Sequence, residues 1–211
     1  MIVTFFSFKG GVGRSFSLVE TAVQLAARGR SVAVWDLDLE APGLQKIPDL
    51  QTVDESFQAG TLDLLYEIAT TDFNFRDKSL PRALIPFPLP PSLAEAGGRL
   101  SFLLPGKLDN QYPGRFASID WAGMFNPKAN VGLAFFSKVA QDILQHLGYE
   151  ILLIDSRTGF TDLGALCTLP LPDLVVLVTN LNEQNLEGTR RIYAAVTQTP
   201  ARISGQKLPV I

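Results

Sequence analysis

The chain carries one cysteine, Cys167, and one histidine, His146, in 211 residues. A lone cysteine excludes an internal disulfide and any cysteine-cluster metal site, and a lone histidine excludes a multi-histidine one. Both lie in apolar segments and are read as packing residues. Charge is sparse as well: 18% of residues are Asp, Glu, Lys or Arg, and the net charge of -3 comes with no basic run. That leaves no electrostatic footprint for nucleic acid. No stretch reaches the roughly 18 apolar residues of a membrane span. The apolar opening has no charged leader, so it does not read as a signal peptide. Nothing points to a membrane or to export, and the expected compartment is the cytoplasm.

What is present is an alternation of strand-like and helix-like segments, which predicts an α/β fold: a mostly parallel sheet with helices on both faces. Residues 2–8 are almost unbroken in hydrophobicity, as a buried parallel strand should be. Residues 15–28 follow, with Leu18, Ala22, Leu25 and Ala26 at helical spacing and Gly29 as the stop. Residues 31–35 form the next strand, with Asp36 at its carboxyl end. Further on, 131–147 reads as a helix, 151–155 and 174–178 as strands, and 183–197 as a helix. Residues 208–211 look like the start of one more strand, which suggests the N-terminal part of a longer protein.

The stretch 49–130 is irregular and reads as an insertion into a single domain spanning 1–211. Within it, 61–69 suggests a short helix and 100–104 a strand ending at Pro105-Gly106. The proline-rich run 86–91 excludes helix and central strand. A surface excursion is the preferred reading of that run over a lid or a partner-binding segment.

Strand, glycine-rich turn and helix is an arrangement that binds phosphate. Successive amides line a concavity, and the helix N-terminus adds the positive end of its dipole. Here the turn is Lys9-Gly10-Gly11-Val12-Gly13-Arg14-Ser15, followed by Phe16. The glycines permit positive φ and close approach to a phosphate. Ser15 offers a hydroxyl to magnesium, and a cation at position 14 would reach the β- and γ-phosphates. Against the pattern G-x-x-x-x-G-K-[ST], Phe8 replaces the first glycine and Arg14 the lysine. Arginine keeps the charge but is longer and planar, so it can retain binding while weakening hydrolysis.

Carboxylates stand at two later strand ends. Alternation puts Asp36 and Asp38 of Asp36-Leu37-Asp38-Leu39-Glu40 on one side of the chain. Four apolar residues lead into Asp155, which Ser156-Arg157-Thr158-Gly159 follow. Both groups fall at the carboxyl ends of parallel strands, where open α/β sheets bind ligands.

The loop resembles the deviant Walker A motif of ParA/MinD-type P-loop ATPases, and more narrowly a variant subgroup with arginine in the loop. The resemblance covers about 1–48 and 131–211. It implies a three-layer α/β/α P-loop NTPase with ATP and Mg2+ as cofactors. Lys9 would be the signature lysine that reaches the nucleotide of a partner subunit, which implies an ATP-dependent homodimer. Asp36-Leu37-Asp38 looks like Walker A′, with Asp36 in the magnesium shell and Asp38 orienting the attacking water. Asp155 looks like Walker B, sharing the metal with Ser15, and Gly159 would sense the γ-phosphate. Asn180 and Asn182 are candidates for the adenine ring, or for capping the next helix. Arg157 is open between a phosphate contact, an interface contact and a structural ion pair.

The function expected is a slow ATP hydrolase that acts as a dimerisation switch on an unknown protein partner or a fused effector domain. One alternative is a nucleotide-binding sensor with little hydrolysis, because of Arg14. Another is a phosphotransferase like bacterial tyrosine kinases. The whole reading requires Ser15 and Asp155 to meet.

Overall fold

The computed structural model describes residues 1–47, 59–70, 79–126, 128, 131–159, 161–198 and 209–211. Six strands form one sheet: β1 (Ile2–Phe6), β2 (Ser31–Asp36), β3 (Leu84–Phe87), β4 (Arg99–Leu103), β5 (Ile151–Asp155) and β6 (Leu174–Leu177), in the order β3-β4-β2-β5-β1-β6. All neighbours are parallel except β3 and β4. The end of the chain adds to this sheet: Val210 bridges Val175 in parallel, and the Ile211 amide donates to the Val175 carbonyl. Leu208, the first residue of that expected strand, lies outside the described residues.

Helices cover both faces, because alternate strand residues point opposite ways. On one face, helix α1 (Arg14–Ala27) packs Leu18, Ala22 and Ala26 on Val3, Phe5, Val32, Val34 and Leu153. On the other, Ala33, Trp35, Leu152 and Ile154 meet two helices. These are α6 (Val131–Gln141), through Phe135, Phe136 and Val139, and α7 (Asp162–Thr168), through Leu163, Leu166 and Cys167. Helix α8 (Glu183–Gln198) covers Phe6 and Val175 with Ile192 and Val196. The layers are therefore α/β/α, as the alternation predicts.

The stretch read as irregular contains the short helix and the strand expected there, α2 (Thr61–Thr70) and β4. It also holds α3 (Ser79–Ala83), α4 (Tyr112–Ala117), α5 (Trp121–Met124) and the edge strand β3, which the sequence reading did not expect. Strand β4 pairs in register with β2 and belongs to the central sheet. Its neighbour β3 accommodates Pro86 because it is an edge strand, where a missing amide donor costs nothing.

One packing expectation is corrected. His146 is 71% exposed and interacts with Asp142, which also pairs with Lys138. The helix ends in a π-turn over Asp142–His146, and the ring sits on its solvent side beside Asp142. Cys167 is buried as expected, and burial pushes its thiol up to about 12, so it packs as an inert apolar group.

Candidate functional site

The turn after β1 has the backbone that a phosphate loop needs. Gly11 and Gly13 sit at φ 75° and 88°, in the left-handed region where a side chain is strained. Gly13 is the residue before α1, and no side chain caps the helix there. Its first-turn amides thus face outward on the loop side, as anion-binding helix starts do. Lys9, Gly10, Gly11, Gly13 and Phe16 are exposed, while Val12 and Ser15 are half-buried. Behind the loop, the Phe8 ring lies against Gly188 of α8, so closely that a Cβ there would overlap it.

Sheet register brings the carboxylates together. Asp36 and Asp155 are direct partners across β2 and β5, one at each carboxyl end. The Ser15 hydroxyl donates to Asp155 Oδ2 at 2.6 Å, so the loop and the Walker B position do meet. Arg14 enters the same cluster. Its Nε donates to Asp155 Oδ1 at 2.6 Å, Nη2 to Asp38 Oδ2 at 3.2 Å, and Nη1 to Ser7 Oγ at 3.4 Å. The side chain is only 7% exposed.

The electrostatics follow from burial. Burial opposes the Arg14 charge, but the Asp155 and Asp38 carboxylates outweigh it and raise the guanidinium pKa. Burial pushes Asp155 up against the pull of Arg14 and Ser15. Asp36 has no exposed surface. Burial first, then the Asp155 charge, carries its carboxyl well above the ordinary aspartate value. One Asp36 oxygen accepts from the Asp38 amide at 3.0 Å, and Oδ2 has no hydrogen-bond partner.

That donor set fits magnesium. Magnesium takes hard oxygen ligands and draws part of its shell from substrate phosphates and water. Ser15 Oγ, Asp155 and the unpartnered Asp36 Oδ2 are such oxygens. Among the described residues no group of three His, Cys, Asp or Glu forms a metal site by itself. An ion here would therefore rely on a phosphate to complete its shell.

Other expected positions resolve differently. Gly159 is half-buried with φ 78°, in the loop after β5. Asn182 accepts from the Asn185 amide at 2.9 Å and so caps the start of α8. Asn180 is exposed. Arg157 takes the ion-pair alternative: its Nη1 donates to Glu40 Oε1, linking the loop after β5 to the loop after β2. The pair stands beside a cavity of about 220 Å³ walled by Leu39, Phe116, Trp121 and Leu163.

Three residues of the surroundings were given no role by the sequence reading. Ser7 accepts from Arg14, Glu40 pairs with Arg157, and Tyr112 donates its hydroxyl to the Leu39 carbonyl at 2.8 Å. Ser7 precedes the glycine turn and Glu40 closes the acidic run, so their positions were within reach of the sequence. Tyr112 lies in the stretch without a motif, and only tertiary folding sets it beside Leu39.

The comparisons with known proteins agree with this fold. The family model described as ParA, an NUBPL iron-transfer P-loop NTPase, matches residues 1–65. No curated protein sequence matches the chain. The fold is similar to the septum site-determining protein MinD of Pyrococcus horikoshii OT3, complexed with Mg-ADP. Identity is 20% and the TM-score 0.66, over 99% of this chain and 67% of that one. It is similar also to the MinC:MinD cell division complex of Aquifex aeolicus, with 16% identity and a TM-score of 0.61, over 99% and 66%. The VpsO kinase domain gives 19% identity and a TM-score of 0.60, over 100% and 84%. The chain thus spans about two thirds of the length of the MinD chains it matches.

Proposed function

We propose that this chain, which has the ParA/MinD-type P-loop NTPase fold, binds magnesium-ATP and hydrolyses it slowly as a dimerisation switch. One observation carries the reading: the Ser15 hydroxyl lies 2.6 Å from Asp155, so the turn after β1 and the end of β5 form one site. The fold likeness to a MinD solved with Mg-ADP supports it.

In this reading the loop amides from Gly10 to Ser15 hold the phosphates, with Arg14 as their cation. Ser15, Asp36 and Asp155 would hold magnesium, which supplies charge neutralisation at the phosphates when bound. Asp38 is half-buried at the mouth of the cluster, where it orients the attacking water. The chain's contribution is positioning and electrostatics, with no covalent chemistry of its own. Lys9, exposed beside the loop, would reach a nucleotide held by a second copy. The MinC:MinD complex supports a protein partner for the assembled switch.

Asp38→Ala tests the assignment. Phosphate release should fall at least a hundredfold, while calorimetry with Mg-ATP should still detect binding. Normal turnover in that variant would remove Asp38 from the mechanism.

Arg14 favours a second reading, a nucleotide sensor without turnover, because the guanidinium is tied to the carboxylates that hydrolysis needs. If Arg14→Lys creates phosphate release that the native chain lacks, the sensor reading holds. A phosphotransferase activity draws its support from the fold likeness to the VpsO kinase domain. Tyr112 and Tyr149 are buried, which leaves Tyr66 and Tyr193 as the exposed acceptors.

A further inference from the structure

We infer that Arg14 is a lock on the metal site: it makes entry of a divalent cation conditional on a phosphate that takes the guanidinium away. The inference rests on the nucleotide-binding reading above and adds an order of events to it.

Arg14 uses all three guanidinium nitrogens at once. Nε is on Asp155, Nη2 on Asp38 and Nη1 on Ser7. The other Asp155 oxygen is taken by the Ser15 hydroxyl. Both oxygens of the Walker B carboxylate, and the hydroxyl that would share the metal, are therefore engaged within the chain. In the same cluster, the buried Asp36 Oδ2 has no hydrogen-bond partner among the described residues.

A hydrated divalent cation that approaches alone meets a buried positive group held by two carboxylates. It would have to displace that group, and it brings no anion to receive it. Arg14 would then be a buried cation beside a second cation, which is costly. A nucleoside di- or triphosphate changes the exchange. Its oxygens accept the planar fork of the guanidinium, often in pairs, and its charge offsets the incoming metal. Asp155 and Ser15 are released to the metal in the same step. No covalent bond is made or broken; four hydrogen bonds and one metal shell are redistributed.

Arginine at this position matters because of its shape. An ammonium presents its three donors from one nitrogen on a flexible stem, whereas the guanidinium reaches Asp155, Asp38 and Ser7 from three separate nitrogens held in a rigid plane. Arg14→Lys should keep the charge and loosen the lock, whereas Arg14→Ala should remove it.

The test uses Mn2+ as the probe, with its uptake by the full chain followed by electron paramagnetic resonance in the absence of nucleotide. The native chain should take up no Mn2+ at millimolar concentration. Arg14→Ala should bind it at least tenfold more tightly than the native chain, with Arg14→Lys between the two, each variant first shown to be folded by circular dichroism. If Arg14→Ala does not fold, the Lys variant and a measurement on the native chain decide. In that measurement, the Arg14 Nε–Hε resonance should be protected from solvent exchange, unmoved by Mg2+ alone and shifted by Mg-ADP. The inference is overturned if the native chain binds Mn2+ as tightly as the variants do, or if Mg2+ alone moves the resonance. Calorimetry with Mg-ADP keeps the two ideas separate. No heat from the native chain or either variant overturns the nucleotide reading, whereas normal heat alongside free Mn2+ uptake by the native chain overturns the lock alone.

Discussion

Asp36 has no exposed surface and one oxygen without a hydrogen-bond partner. A carboxyl whose pKa is raised on folding favours its protonated form in the folded state. The stability it contributes is complete below the unfolded value near 4 and is lost as pH rises through the folded value. Asp36→Asn removes that loss and sets an amide donor on β2 beside Asp155 on β5. The variant should melt a few degrees above the native chain at pH 7, in magnesium-free buffer without nucleotide, and the gain should shrink towards nothing near pH 4. The same change should weaken Mg-nucleotide binding at least tenfold. A melting gain independent of pH would mean that Asp36 is already neutral across that range.

At the scale of elements, the site is built from loops that the structure ties to one another. Tyr112 of α4 anchors the Leu39 carbonyl, and Arg157 pairs with Glu40 across the two carboxylate loops. The phosphate loop itself is tied to α8 where the Phe8 ring meets Gly188. Phe8 stands where the usual loop has a glycine, and a glycine on the facing helix makes room for the ring. Gly188→Ala sets two effects against each other. Alanine in a helix interior gains about 1 kcal/mol over glycine, but forcing a methyl into a packed contact costs roughly 1–3 kcal/mol. The overlap with the ring favours the cost. The variant should show a lower denaturation midpoint and weaker Mg-nucleotide affinity, since the loop start must shift. If the chain becomes more stable and binds nucleotide normally, the ring has an alternative position and the contact does not constrain the loop.

At the scale of the whole molecule, one face of the sheet's carboxyl edge is open. Lys9, Gly10, Gly11, Gly13 and Phe16 are exposed there, and Lys9 makes no ion pair among the described residues. A second copy docked on that face would bring each Lys9 to the other copy's nucleotide. With ATP and the Asp38→Ala change to prevent turnover, light scattering should report a dimer, and adding Lys9→Ala should return it to a monomer. A dimer that persists without Lys9 would assign that side chain another role. None of the helices among the described residues is long and apolar enough to cross a membrane.

Sequence and tertiary structure contributed different things, for a physical reason. Local signals carry local information. Hydrophobic runs ending in Asp36 and Asp155 placed both carboxylates at strand ends, and the glycine run placed Ser15 at a helix start, so the fold class and the phosphate loop were legible directly. The alternation fixed the layers. What no local pattern encodes is which strand lies beside which. Strand order alone makes Asp36 and Asp155 partners and sets the expected strand β4 beside β2, and only helix packing brings Tyr112 to the Leu39 carbonyl. The fate of Arg14 belongs to the same class. Residue 14 was legible as a cation on a phosphate loop, but its hold on Asp155 and Asp38 joins residues 141 and 24 positions away, and only the folded chain could decide that.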